Sequence, residues 1–145
     1  MKKITKELNE LGISNYTIRK DGVVDVAGDV RISELYLTEI PIQFGYVTGI
    51  FDCSNNKLKT SNGFPLRCSV LSCGNNLLDN LVHCPKVVKE IYCASNRITT
   101  LKHCKICKES IQLIYCHNNC LSGKLGIESH FGEHVQVYYT TGNDT

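Results

Sequence analysis

The fold class this sequence predicts is a repeat solenoid, α/β by its elements but mainly β. Three observations predict it. Four eight-residue segments of one pattern recur at spacings of 20, 20 and 23 residues. Apolar and polar residues alternate at the start of each segment, which is the period-2 signature of a strand with one buried side. Each segment then places an Asn two residues ahead of a Leu or Ile, at the point where the strand must turn away. A repeat of this length cannot bury its own faces, so the copies must stack on one another and be capped at both ends.

The elements follow in chain order. Residues 1–26 read as an N-terminal cap, 27–121 as five repeats and 122–145 as a C-terminal cap, all within one domain. Ile4, Leu8 and Leu11 fall at i, i+4 and i+7 and Gly12 follows as a stop, so residues 2–11 predict an amphipathic helix. Residues 16–20 and 23–26, joined at Asp21-Gly22, predict a hairpin. The first, degenerate repeat is Val30-Arg31-Ile32-Ser33-Glu34-Leu35-Tyr36-Leu37, with Leu35 where the others carry Asn.

Full copies begin at Phe51, Leu71, Ile91 and Ile114. Their in-pointing columns are Ile32, Cys53, Cys73, Cys93 and Cys116, and Asn56, Asn76, Asn96 and Asn119 form a polar ladder. A carboxamide in that ladder can serve backbone groups of its own and the neighbouring turn. Replacing Asn55 or Asn75, one residue earlier, is expected to matter less. Pro65 and Pro85 between copies predict an extended or polyproline-like outer side. The alternation over 134–139 predicts a last strand, and residues 141–145 are expected to fray.

The copies read L-x-x-L-x-L-x-x-N-x-L. Val88, Ile91, Cys93, Asn96 and Ile98 fill the five marked positions of one turn; Thr48, Phe51, Cys53, Asn56 and Leu58 fill those of another. Cys68, Leu71, Cys73, Asn76 and Leu78, and Ile111, Ile114, Cys116, Asn119 and Leu121, fill two more. The chain thus resembles leucine-rich-repeat proteins. The short period, with Gly63-Phe64-Pro65 and His83-Cys84-Pro85 between copies, is similar to the 20-residue repeats of bacterial effectors and small bacteriophage proteins. The resemblance implies a parallel sheet on the concave face, a protein partner held there and a role as a stand-alone inhibitor or adaptor. If the source is a phage, the partner would be a host protein in the host cytoplasm.

Composition narrows the alternatives. Sixteen basic and 14 acidic residues give a formal charge of +2, spread along the chain without a basic cluster, so nucleic acid is not the expected partner. The charged N-terminus is unlike a secretory signal and no apolar run is long enough to span a membrane, so a cytoplasmic protein that begins at Met1 is expected. Nine cysteines in a reducing compartment act as small hydrophobes rather than as disulfides.

Cys104 and Cys107, and Cys116 and Cys120, have zinc-like spacing, with His83, His103 and His117 as further donors. Cys116 is already used by the core and Cys104 aligns with Cys84, leaving Cys107 and Cys120, too few to close a tetrahedral site. The reading is therefore that no metal and no cofactor is bound, with a zinc-stabilised module as the alternative. No nucleophile, base and orienting group recur together, so no enzyme is expected. Cys116 and His117 are adjacent but point to opposite faces.

What remains is the outward face of the strands. Its central stripe is Arg31, Asp52, Ser72, Tyr92, Tyr115 and Tyr138; the flanking stripe is Asp29, Ile50, Val70, Glu90, Leu113 and Gln136, and His117 lies beside Tyr115. Ile50, Val70 and Leu113 are expected to form adjoining apolar surface next to three tyrosines in a row, a composition that favours an interface.

Overall fold

A computed structural model describes residues 1–121 and 130–140. The expected fraying over 141–145 lies outside them. Among the described residues the fold is mainly β with a short helix at the N-terminus, and its body is a parallel-sheet solenoid of about five turns.

Helix α1 (Lys2–Glu10) closes the N-terminal end. Leu8 is fully buried, with Ile4 and Leu11 packed partly against the core. Gly12 ends the helix with φ +72°, and the Gly12 and Ile13 N–H groups donate to Asn9 and Leu8 carbonyls at 3.1 and 2.9 Å. That paired 5→2 and 6→1 arrangement, with Ile13 buried beside Leu8, is a Schellman stop. Strands β1 (Tyr16–Ile18) and β2 (Val24–Val26) form the hairpin. Its turn is one residue longer than the two-residue loop expected: Arg19 accepts from Gly22, whose φ is +86°, and donates to Val23.

Six strands make the main sheet, in order β3 (Val30–Arg31), β5 (Ile50–Asp52), β6 (Val70–Ser72), β7 (Glu90–Tyr92), β8 (Leu113–Cys116) and β9 (Gln136–Tyr139). All neighbours are parallel. β9 continues the sheet from β8, with Tyr115 opposite Tyr138. Beneath it, Val30, Phe51, Leu71, Ile91 and Ile114 form one buried column and Ile32, Cys53, Cys73, Cys93 and Cys116 a second. Parallel strands lie about 4.8 Å apart, so equivalent side chains touch from turn to turn. Phe44, Phe51 and Phe64 fill the wide N-terminal end, with ring centroids 5.2 and 6.0 Å apart.

The bend after each strand is built from two adjacent residues with separate jobs. Asn56, Asn76, Asn96 and Asn119 are buried, and each spans two turns. Asn96 Oδ1 accepts from Leu78 N at 3.0 Å, while Nδ2 donates to the Cys73 and Cys93 carbonyls at 3.0 and 3.1 Å. Asn56 serves the turn that has no Asn of its own, accepting from Leu35 and Leu37 N and donating to Ile32 O. The residue before each ladder Asn is left-handed: Asn55, Asn75, Ser95 and Asn118 have φ between 54° and 57°. Asn tolerates that conformation better than most residues. Asn55 and Asn75 therefore have a backbone role of their own, which side-chain pattern alone does not reveal.

Two expectations need adjustment. The expectation for the outer side is extended or polyproline-like backbone; it is extended, and it is also paired: β2 pairs in parallel with β4 (Phe44–Val47), and the line continues as single bridges from Tyr46 to Arg67 and from Arg67 to Val87. A second ladder thus runs along the flank, and the hairpin cap belongs to it. The physical reason is that the flank backbone repeats at the same pitch as the sheet, so its N–H groups find carbonyls in the adjacent turn.

The second correction is at Thr48, which is exposed, while Val47 occupies the core. Tyr46 pairs 21 residues on, with Arg67, whereas Ile50 pairs 20 on, with Val70. The intervening stretch holds residues 47, 48 and 49 in this turn but only 68 and 69 in the next. Thr48 is the extra residue, pushed outward as in a bulge.

Candidate functional site

Strand alternation turns the central stripe out to one open face, and the pairing register aligns it in a single row. Arg31 lies opposite Asp52, then follow Ser72, Tyr92, Tyr115 and Tyr138. The flanking row runs Ile50, Val70, Glu90, Leu113 and Gln136. The two ends of the face differ chemically.

At the N-terminal end the polar groups are satisfied among themselves. Arg31 Nη2 meets Asp29 Oδ2 at 3.1 Å on the exposed surface. Asp52 Oδ1 accepts from Ser54 N and Oγ at 3.0 and 2.6 Å. At the C-terminal end the surface is aromatic. The Tyr92, Tyr115 and Tyr138 rings are stacked at 6.2 and 6.0 Å between centroids, tilted by 33° and 38°. His117 packs edge-on against Tyr115 at 4.6 Å. Tyr115 and Tyr138 keep 39% and 48% of their surface open, so the row remains available for contact.

Partial burial, together with the Glu90 carboxylate, raises the Tyr92 phenol above its ordinary value. Its hydroxyl reaches Glu90 Oε2 at 3.5 Å, at the long limit for a hydrogen bond. Rings that support one another in this way are stiff, which lowers the entropy lost when a partner docks.

The expected apolar run is interrupted. Ile50 adjoins Val70, but Glu90 stands between Val70 and Leu113, and all three apolar residues are half-buried. Parallel pairing fixes neighbours by register, and the register places a charged residue in the middle of that row. The aromatic row is thus the main apolar feature of this face.

The cysteines separate by burial. Cys53, Cys73, Cys93 and Cys116 are sealed in the core, and burial pushes the Cys116 thiol up to about 12 and those of Cys73 and Cys93 well above the ordinary range. Cys104 Sγ donates to the Leu81 carbonyl at 3.7 Å, and the neighbouring Cys84 together with burial pushes the Cys104 thiol well above its ordinary range. Cys107 and Cys120 are exposed, and Cys107 donates to Glu109 Oε2 at 3.0 Å. The sequence-adjacent Cys116 and His117 are parted, one in the core and one on the Tyr115 ring. Among the described residues no group of three His, Cys, Asp or Glu lies close enough together to hold a metal ion.

These thiols make a direct prediction. Because the thiolate is the reactive form, a thiol-exchange reagent is expected to modify Cys107 and Cys120 in the native protein and the other seven of the nine cysteines only after unfolding. Fast native-state labelling of more than two thiols per chain would contradict it. So would a count that rises only when a chelator is added.

Among the described residues no helix is long and apolar enough to cross a membrane. Compared with family models, with curated proteins and with solved structures, the chain matches none of them.

Proposed function

We propose that the chain is a protein-binding module of leucine-rich-repeat type that holds a protein partner on its open sheet face, the concave side in such proteins. The observation that carries this reading is the row of Tyr92, Tyr115 and Tyr138, stacked and half open to solvent, with His117 against its middle ring. Tyrosine combines a large rigid contact area with a polar tip, which suits the centre of an interface. Asp52 and Ser72 would contribute polar contacts beyond Tyr92, with Ile50 and Val70 beside them; Glu90 and Leu113 would flank the rings. The resemblance to short bacterial and bacteriophage repeats supports an inhibitor or adaptor acting in the cytoplasm that contains its target.

The test is site-specific photo-crosslinking. A benzophenone side chain placed at Tyr115 is expected to capture a discrete protein from lysate of the native host, and the same group at Lys86 on the flank is not. Capture from Lys86 alone would move the binding surface off the sheet.

A further inference from the structure

The cations of this chain are scattered along the sequence, yet stacking of the turns gathers a group of them on the flank, away from the sheet face. Three backbone runs lie side by side there. Residues 66–69 pair with 86–89, Lys86 N donating to Leu66 O and Lys89 N to Ser69 O, both at 3.0 Å. The next turn joins them through Cys107 N to Lys86 O at 2.6 Å and Gln112 N to Lys89 O at 2.8 Å. Two such steps, from the first run to the third, cover about 10 Å.

Arg67, Lys86, Lys89, Lys105 and Lys108 stand on these runs, and all are exposed. None of them forms an ion pair among the described residues. The carboxylate within the runs is Glu109, which accepts from Cys107 Sγ at 3.0 Å and lies close enough to Lys108 for each to feel the other's charge. Glu90 follows Lys89 in sequence but serves the sheet face, within reach of the Tyr92 hydroxyl. Arg67, Lys86, Lys89 and Lys105 therefore form a row of like charge with no counter-charge between them. Holding like charges together costs stability through mutual repulsion, and a bound polyanion relieves that cost.

The row ends at an aromatic ring. Tyr46 pairs through a backbone bridge with Arg67, and 53% of its surface is open. The Arg19 guanidinium steadies the ring, 4.9 Å from its centroid and itself fixed by hydrogen bonds to Asp25 at 2.9 and 2.8 Å. A line of cations leading to an exposed ring matches a single nucleic-acid strand, in which phosphates follow the charges and a base stacks on the ring. A flat anionic membrane fits less well, because it would press on Glu109 together with the lysines. A duplex also fits less well, since no helix or hairpin rises from these three runs to enter a groove.

We infer that this flank holds the backbone of a single-stranded nucleic acid, its phosphates on Arg67, Lys86, Lys89 and Lys105 and one base on Tyr46.

The test is fluorescence anisotropy of labelled oligothymidylate and oligouridylate of about 15 nucleotides, which share the phosphate backbone, titrated with the full chain. Saturable binding is expected. Four phosphate contacts give a slope of log affinity on log salt near −3, so binding should weaken roughly fiftyfold between about 50 and 200 mM salt. Lys86→Ser/Lys89→Ser/Lys105→Ser is expected to bind at least about tenfold more weakly at the lower salt, with a slope near −1. Lys57→Ser/Lys59→Ser/Arg97→Ser removes the same charge from exposed positions beside the Asn ladder and should change neither. Tyr46→Leu is expected to weaken binding about fivefold or more at an unchanged slope. Every substituted side chain is exposed, so circular dichroism and Tm should match those of the parent. Tyr92→Ser/Tyr115→Ser should bind the oligonucleotide as the parent does, which keeps this site separate from the sheet face. No binding, equal losses from the two triple variants, a slope near zero, or full affinity in Tyr46→Leu would each overturn the assignment. So would phosphatidylserine vesicles that displace the oligonucleotide at equal phosphate, a result that gives the row to a membrane instead.

Discussion

Asn96→Ala is expected to destabilise the protein by about 3 kcal/mol or more, because the side chain satisfies three buried backbone groups belonging to two different turns. Removing it leaves the Leu78 N–H and the Cys73 and Cys93 carbonyls without that partner, in a core that admits little water. For a chain of this size such a loss lowers Tm by roughly 10 °C. The left-handed residue before a ladder Asn, one turn earlier, supplies a control by a different mechanism. Asn75 is left-handed at φ 54°, so Asn75→Gly is expected to be nearly neutral, while Asn75→Ala costs about 1 kcal/mol of backbone strain. Thermal denaturation followed by circular dichroism measures all three. Equal losses for Asn96→Ala and Asn75→Ala would show that the carboxamide ladder does not bear the bend.

Replacing Tyr92 and Tyr115 together by Ser is expected to abolish partner binding while leaving the protein folded. Aromatic anchors near the centre of an interface cost about 2 kcal/mol or more each when truncated, so the pair should weaken affinity roughly a thousandfold if the losses add. They are expected to act partly as a unit, since the rings are 6.2 Å apart and Tyr115 also supports Tyr138 and His117. Neither ring belongs to the buried core, which explains why the fold should tolerate the change. The control is Lys86→Ser with Lys105→Ser, both exposed outside the sheet. Calorimetry against the crosslinked partner decides the matter. Normal binding by the tyrosine variant, with loss in the lysine variant, would place the interface on the flank or the caps.

The sequence by itself determined the repeat, the strand register, the buried columns and the order of residues along the open face. The reason is that a stacked repeat converts sequence period directly into spatial neighbourhood: residues 20 apart become residues one strand apart. Tyr92 and Tyr115 are neighbours because the segments that contain them align, even across a 23-residue spacing.

The tertiary structure alone decided features that depend on mismatch or on backbone angle. Thr48 fits the apolar pattern as a marked position, yet the flank and the sheet count different numbers of residues through that turn, so Val47 enters the core in its place. The left-handed bend at Asn55 and Asn75 is likewise a property of φ, which a list of side chains does not express. Where each turn repeats the last, local pattern is sufficient; where one turn carries an extra residue, only the packing of the whole chain determines which side chain moves outward.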